Sequence, residues 1–251
     1  MSRNFKATLA YDGTDFNGWQ IQPQRPTIQG IFADAIERIT DERVLPQGSG
    51  RTDAGVHALG QVASFALESP IPKENLLTAL NHTLPASVRV TEIDEAPQDF
   101  HARHSAKGKT YEYRIFRATI CPPFLVRYVH HHPFPLDEEA IGESARHVIG
   151  EHDFTSFAAA DPEKGKDENE RDNLRTIFSS EWGREEDMLV YRVRGDGFLH
   201  HMVRNLVGTF LLAGKGSLTS ESISSILAAR NRSAAGPTAP ASGLFLVSVE
   251  Y

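Results

Sequence analysis

Apolar Phe5, Ala7, Leu9 and Tyr11 alternate with Lys6, Thr8 and Ala10, the period of a half-buried strand. Residues 11–19 are rich in Asp, Gly and Asn and read as a loop. Thr27 is placed to cap a helix whose stripe is Ile28, Ile31, Phe32, Ala35, Ile36 and Ile39. A strand is expected at about 61–67. Pro72 opens a helix carrying Leu76, Leu77 and Leu80, and a further strand follows near 88–93.

The second half repeats this grammar. Strands are predicted at 110–116 and near 128–132, then a helix from Asp137 that buries Ile141, Ala145 and Val148. The charged stretch 161–172 reads as an exposed loop, and 174–182 with 188–194 as a hairpin. A helix over 199–213 is closed by Gly214, and Thr219 caps another that carries Ile223, Ile226 and Leu227. Residues 231–243 form a Pro/Gly/Ala/Ser loop, and 244–251 the last strand. Strands and helices mix without strict alternation, which favours an α+β fold with mainly antiparallel sheet. A boundary near 105–107 divides the chain into 1–105 and 106–251, similar in layout but not in letters.

Composition narrows the class. The chain has 251 residues, 40% hydrophobic and 24% charged, as in an ordinary soluble globular protein. No stretch approaches the ~18–20 apolar residues of a membrane span, and the start lacks an apolar signal region, so a cytoplasmic protein is expected. Cys121 is the single cysteine, which rules out an internal disulfide and a cysteine-clustered zinc site. The net charge of −7 argues mildly against a generic nucleic-acid binder, because neutralising phosphates takes clustered Lys and Arg. Any RNA-binding groups must be gathered in one region, with acids elsewhere, as in 161–172 and 185–187.

Three segments could carry chemistry. In GSGRTDAGVH, at 48–57, three glycines allow tight turning and close approach around Arg51, Thr52 and Asp53, just before a strand. The same letters also fit an ordinary surface turn with an Arg–Asp pair. In FLHHMVRNLVGTFLL, at 198–212, apolar residues fall on every side of the helix, so it is expected to be deeply buried with Arg204 at its middle. A buried arginine needs an anion, since leaving it unpaired costs about 3–5 kcal/mol. Asp53 is a candidate partner that the guanidinium would keep ionised. Alternatively Arg204 reaches the surface along its aliphatic stem. The third segment, FHARHSAKGKTYEYRIFR at 100–117, interleaves basic and aromatic residues, suited to phosphates and to stacking on unpaired bases. Tyr111, Tyr113 and Arg117 share one strand face, a pattern that equally fits core tyrosines.

Other features are weaker. Neighbours in His130-His131-His132 point to opposite strand faces, so only His130 and His132 could cooperate, and no metal is expected there or at His57, His200 and His201. No Walker loop or GxGxxG follows a strand, so no nucleotide cofactor is implied. Cys121 has no evident activating neighbour.

Taken together, GRTDAGVHALGQVASF at 50–65, FHARHSAKGKTYEYRI at 100–115 and GFLHHMVRNLVGTFLLAGKG at 197–216 resemble the motifs of the tRNA pseudouridine synthase A family. YDGTDFNGWQIQP at 11–23 and GLFLVSVEY at 243–251 are similar to its ends. The resemblance spans nearly the whole chain. It implies two RNA-recognition-like halves around a central, mainly antiparallel sheet with helices packed on it. It also implies a homodimer whose two subunits both contact tRNA, and a reaction that needs neither cofactor nor metal. That reaction converts uridine to pseudouridine at positions 38, 39 and 40 of the anticodon stem-loop. By position, Asp53 corresponds to the catalytic aspartate, Arg204 to the arginine that pairs with it, and Tyr111 to the tyrosine that stacks on the target base. Arg51 lies where an arginine helps to extrude the base, and Leu244 where an aliphatic residue packs beside it. Phe100, His101, Ala102, Arg103 and His104 fall in a tRNA-contacting segment. After HDFTSF the chain departs from the family pattern, where Ala158-Ala159-Ala160 leads into DPEKGKDENERDN. The tRNA contacts of 158–173 are therefore unassigned, and this acidic insert is expected at the rim of the cleft or outside it, where it does not repel phosphate.

The implied reaction breaks a C–N glycosidic bond, rotates the base and forms a C–C bond, so the uracil must first leave its stack. A carboxylate can attack the anomeric carbon, attack uracil C6 or take a ribose proton. Two other readings compete. A non-catalytic RNA-binding module would be indifferent to loss of Asp53. A carboxylate-dependent glycoside hydrolase needs a second carboxyl roughly 5–10 Å away, for which Asp196 is the nearest rival, although GDG reads better as a turn.

Overall fold

The computed structural model describes residues 2–160 and 173–251, so the reading of 161–172 as an exposed, acidic insert falls outside the described residues. The chain forms two compact units, 1–107 with 245–251, and 108–244. The terminal strand thus groups mainly with the first unit, whereas a division at residue 105 assigns it to the second. Both units are α+β with mainly antiparallel strands.

In the first unit the strand order is β4 (Val88–Ala96), β1 (Arg3–Tyr11), β3 (His57–Leu67), β10 (Leu244–Glu250). β1 runs antiparallel to β3 and β4, while β10 joins β3 in parallel, Phe245 opposite His57. A two-residue strand, β2 (Gln47–Gly48), adds to β3 and had no signature of its own. Helix α1 (Ile28–Thr40) begins where Thr27 Oγ1 accepts the Gly30 N–H, the cap its position predicts. Its buried stripe is Ile28, Phe32, Ala35 and Ile36. Phe32 meets Phe65 edge-on at 5.6 Å, and Phe65 stacks with Phe5 at 5.7 Å, so the alternating face of β1 forms the core. Helix α2 (Lys73–Thr83) follows Pro72 and buries Leu76 and Leu80, with Leu77 half-exposed.

The second unit orders β5 (Gly108–Phe116), β9 (Met188–Gly195), β8 (Leu174–Glu185) and β7 (Gly150–Asp153). The hairpin of β8 and β9 forms as read, though β8 runs three residues further. Of the strand expected near 128–132, only His130–His131 (β6) pairs, parallel to β5. Helix α3 (Glu138–Arg146) is capped by Asp137, whose side chain accepts the Ala140 N–H. Helix α4 (Met202–Gly214) starts three residues later than its apolar pattern suggested, because His201 takes a left-handed backbone, φ 59°. It also ends differently. Gly214 is the last helical residue, and the left-handed glycine is Gly216, φ 70°. Gly214 is small for another reason, since a Cβ there would fall 2.5 Å from Ile141 Cδ1 of α3. Helix α5 (Ser222–Ala229) begins after Glu221 rather than after Thr219, whose carbonyl instead accepts the Ser222 N–H. Tyr191 of β9 packs edge-on to Phe210 of α4 at 5.5 Å. Among the described residues, no helix is long and apolar enough to cross a membrane.

Candidate active site and RNA-facing loops

In the first unit, the loop from Gly48 to Val56 is fastened at successive peptides. Gln61, fully buried on β3, donates to Gly50 O at 2.9 Å and accepts the Ser49 hydroxyl at 2.6 Å. The Trp19 N–H donates to Thr52 O at 3.0 Å, Gly55 N–H to Phe16 O at 3.2 Å, and Val56 N–H to Asp53 O at 3.1 Å. Gly18, at φ +82°, permits this approach, since a Cβ there would lie 2.5 Å from Thr52 O. Thr52 is buried, and its hydroxyl bonds the buried Tyr11 hydroxyl at 2.8 Å. Asp53 is half-exposed and Arg51 exposed. A carboxylate held on a pinned main chain and reachable from outside suits both nucleophilic and proton-transfer chemistry. The loop ends at buried His57, stacked on Phe245 at 4.7 Å, whose Nδ1 accepts the Gly13 N–H at 3.1 Å. The same Nδ1 lies 3.3 Å from Asp12 Oδ1, so the ring ties the residues that follow β1 to the end of this loop.

The second loop of this unit carries Phe100 to His104. Ala102 is buried, its N–H donating to Ser64 Oγ at 3.0 Å and its carbonyl accepting the Tyr251 hydroxyl at 2.8 Å. Asn4 Nδ2 donates to Phe100 O at 2.9 Å. The Phe100 ring lies 4.9 Å from that of Tyr251, and Lys6 Nζ sits 4.7 Å from the Tyr251 centroid. His101 Nδ1 accepts the Arg103 N–H at 3.1 Å, and its ring lies 4.3 Å from that of His104. Burial, with the neighbouring His104 adding to it, holds His101 below the usual histidine pKa. Arg103 and His104 are exposed, available to an anionic partner, whereas Ala102 anchors the loop. Buried side chains of β3 therefore hold both loops, Gln61 the first and Ser64 the second.

In the second unit, Tyr111 on β5 is 7% exposed and meets Phe198 edge-on at 5.0 Å. Tyr113 is fully buried, its hydroxyl donating to Pro240 O at 2.9 Å. Burial pushes that hydroxyl above the usual tyrosine range, and the Arg204 charge draws it part of the way back. Arg117 donates to His132 O and to Phe134 O, so it fastens the 130–134 segment rather than sharing a phosphate-binding face with the tyrosines. Arg204 is half-exposed, and with Leu212 it makes the two exceptions to a helix otherwise buried all round. Its Nε donates to Ala239 O at 2.8 Å, and its own carbonyl accepts the Ala239 N–H at 3.1 Å. Beside it, fully buried Asn205 donates to Phe157 O at 2.7 Å and accepts Thr238 Oγ1 at 2.6 Å and an Arg232 N–H at 3.0 Å. Arg204, Asn205 and Tyr113 thus clasp the segment 237–240 that leads to buried Leu244. Asp196, at a bend just past β9, accepts the Thr176 N–H of β8 at 3.0 Å, a cross-strand bond rather than a turn of its own. His130 and His132 are 5.8 Å apart, ring centre to ring centre, and Arg117 approaches His132 Nδ1 at 3.1 Å.

Sequence patterns single out Asp53, Arg204 and Tyr111 as candidates, but not Tyr11, Gln61 or Asn205, whose side chains hold the loops and the 237–240 segment. Polar residues inside apolar stretches, such as Gln61 and Asn205, were the available signal, since a buried polar group has to be bonded to something.

The family model for tRNA pseudouridine synthase matches residues 7–105 and 144–251. A tRNA pseudouridine synthase A from Solibacter usitatus is 52% identical over 249 residues, covering 99% of this chain and all of that protein. One from Anoxybacillus flavithermus is 46% identical over 250 residues, 99% of each. Among solved structures, an archaeal box H/ACA sRNP Nop10–Cbf5 complex aligns over 83% of this chain and 43% of that one, at 14% identity and TM-score 0.35. The chain belongs to the tRNA pseudouridine synthase family. It is an enzyme, an isomerase of uridine in tRNA.

Proposed function

We propose that this enzyme converts uridine to pseudouridine at positions 38, 39 and 40 of the tRNA anticodon stem-loop, with Asp53 as its catalytic carboxylate. The observation that carries this reading is the Asp53 loop, whose peptides are bonded on both sides of a half-exposed carboxylate. Such restraint lowers the cost of orienting the group in the transition state. The target base leaves its stack before it reacts. Tyr111 then stacks on it, Leu244 packs beside it, and Arg51 takes part in extruding it. Arg204 is the arginine assigned to pair with the catalytic carboxylate. The Phe100–His104 loop contacts the tRNA, with Arg103 and His104 outermost. The enzyme works in the cytoplasm as a homodimer. A basic cleft formed across two chains reconciles tRNA binding with a net charge of −7 per chain, because phosphates meet local clusters of Lys and Arg rather than the sum.

The position assignment is tested with unmodified tRNAs bearing uridine at 38, 39 or 40, mapped after carbodiimide treatment and primer extension. Stops confined to those positions are expected. Stops elsewhere, with those three unmodified, would overturn it.

A further inference from the structure

We propose that Tyr11 is a positioning residue for Asp53, its buried hydroxyl fixing the Thr52 side chain and through it the peptide that carries the catalytic carboxylate. The inference rests on the role given to Asp53 above. Its starting point is a chemical mismatch. Tyr11 closes the apolar face of β1 after Phe5, Ala7 and Leu9, all buried, and there a phenylalanine would fill almost the same volume. A tyrosine adds only a hydroxyl, and burying one is unfavourable unless it is bonded. Its nearest partner is Thr52 Oγ1, at 2.8 Å and one residue before Asp53, with the Gln61 side chain as a second.

Local geometry gives that bond leverage. The pairing of β1 with β3 slips between Leu9 and Tyr11, so Tyr11 stands opposite Ala58 after Leu9 stands opposite Gln61. Irregularities of this kind re-aim a side chain next to active sites. Thr52 is held at two points, the carbonyl by the Trp19 N–H and the side chain by Tyr11. Two anchors on one residue leave the following peptide little freedom. Without Tyr11 the main-chain anchors at Gly50, Thr52, Asp53 and Gly55 remain, so the loop stays folded while the entry to Asp53 loosens. The phenol is also kept protonated, because burial raises its pKa to about 12 against the opposing hydrogen bonds of Thr52 and Gln61. It therefore serves as a neutral hydrogen-bonding group and not as a base.

The test measures tritium release from tRNA labelled at uracil C5 as kcat and KM for wild type, Tyr11→Phe, Thr52→Val, Thr52→Ser and the Tyr11→Phe/Thr52→Val double variant, with thermal melting of each. Tyr11→Phe and Thr52→Val should each lower kcat ~10- to ~100-fold, the scale of a misplaced reacting group, and leave KM within about twofold. The double variant should be no slower than the worse single one, as expected when two groups act through one bond. Thr52→Ser, which keeps the hydroxyl, should restore kcat. An undiminished kcat in Tyr11→Phe, or multiplicative losses in the double variant, would overturn the proposal. So would losses confined to KM or fully explained by melting. A wild type that releases no tritium would instead remove the catalytic reading on which the proposal stands.

Discussion

At the scale of single residues, packing and titration make two demands that can be checked directly. Gly18 lies against the Thr52 carbonyl in a left-handed backbone that other residues adopt at a cost. Gly18→Ala is expected to lower unfolding stability by about 1–3 kcal/mol, read from the urea midpoint, because it combines strain with a clash against main chain. An unchanged midpoint would mean that the loop does not depend on this approach. His130 makes the second demand. Burial is the largest cause, and the His132 and Lys215 charges add to it, lowering its pKa from 6.5 to about 4. Between pH 6.5 and 4 the unfolded chain binds a proton that the folded chain refuses. The stability contributed by neutral His130 is thus complete above pH 6.5 and is lost as pH falls towards 4. His130→Gln should flatten the decline of melting temperature across this window, and a slope as steep as that of wild type would contradict the assignment. The glycine-rich setting of Asp53 marks it as a candidate in the sequence. The sequence could not reveal the Tyr11–Thr52 bond, because nothing in local spacing joins residues 41 positions apart.

At the scale of elements, helix α4 shows which features local patterns specify. Its all-round apolar character predicted deep burial, and every residue but Arg204 and Leu212 is buried. Its limits differ from those the apolar pattern predicts. The start depends on the left-handed His201, and the end on Gly216, while Gly214 answers to a neighbouring helix. Only tertiary contact distinguishes a glycine that ends a helix from one that lets another helix approach. Strands β2 and β7 escaped notice because two to four residues show no period. Helix α1, with a cap and a full stripe, was legible from its letters alone. Asn205 gives α4 its polar link to the segment 236–240, where Thr209 also accepts the Gly236 N–H at 2.9 Å. Asn205→Leu leaves Phe157 O, Thr238 and Arg232 each short of a buried partner, at about 1 kcal/mol or more apiece. A loss of roughly 2–4 kcal/mol is therefore expected, with faster amide exchange in that segment. Wild-type exchange there would contradict the clasp.

For the molecule as a whole, charge governs how an acidic chain meets a polyanion. The resemblance to tRNA-modifying enzymes was plain in the sequence because its motifs run almost end to end. Net charge pointed the other way, since a sum over 251 residues says nothing about where the cations lie. Exposed Arg103 gives the question a local answer. If it contacts phosphate, Arg103→Ala should weaken tRNA binding and reduce the slope of log K against log salt by about one. An unaltered slope would remove Arg103 from the interface. Sedimentation of the free enzyme tests the homodimer, and a monomer at assay concentrations would contradict it.

The central claim is that one carboxylate, Asp53, performs the chemistry. The most direct measurement compares wild type with Asp53→Asn on tRNA carrying tritium at uracil C5, since forming the new C–C bond at that carbon releases the label to water. Steady release by wild type and none by Asp53→Asn are expected, although the variant still binds tRNA. Release by Asp53→Asn at a rate close to wild type would contradict that claim, leaving the enzyme its reaction but moving the catalytic centre to another residue.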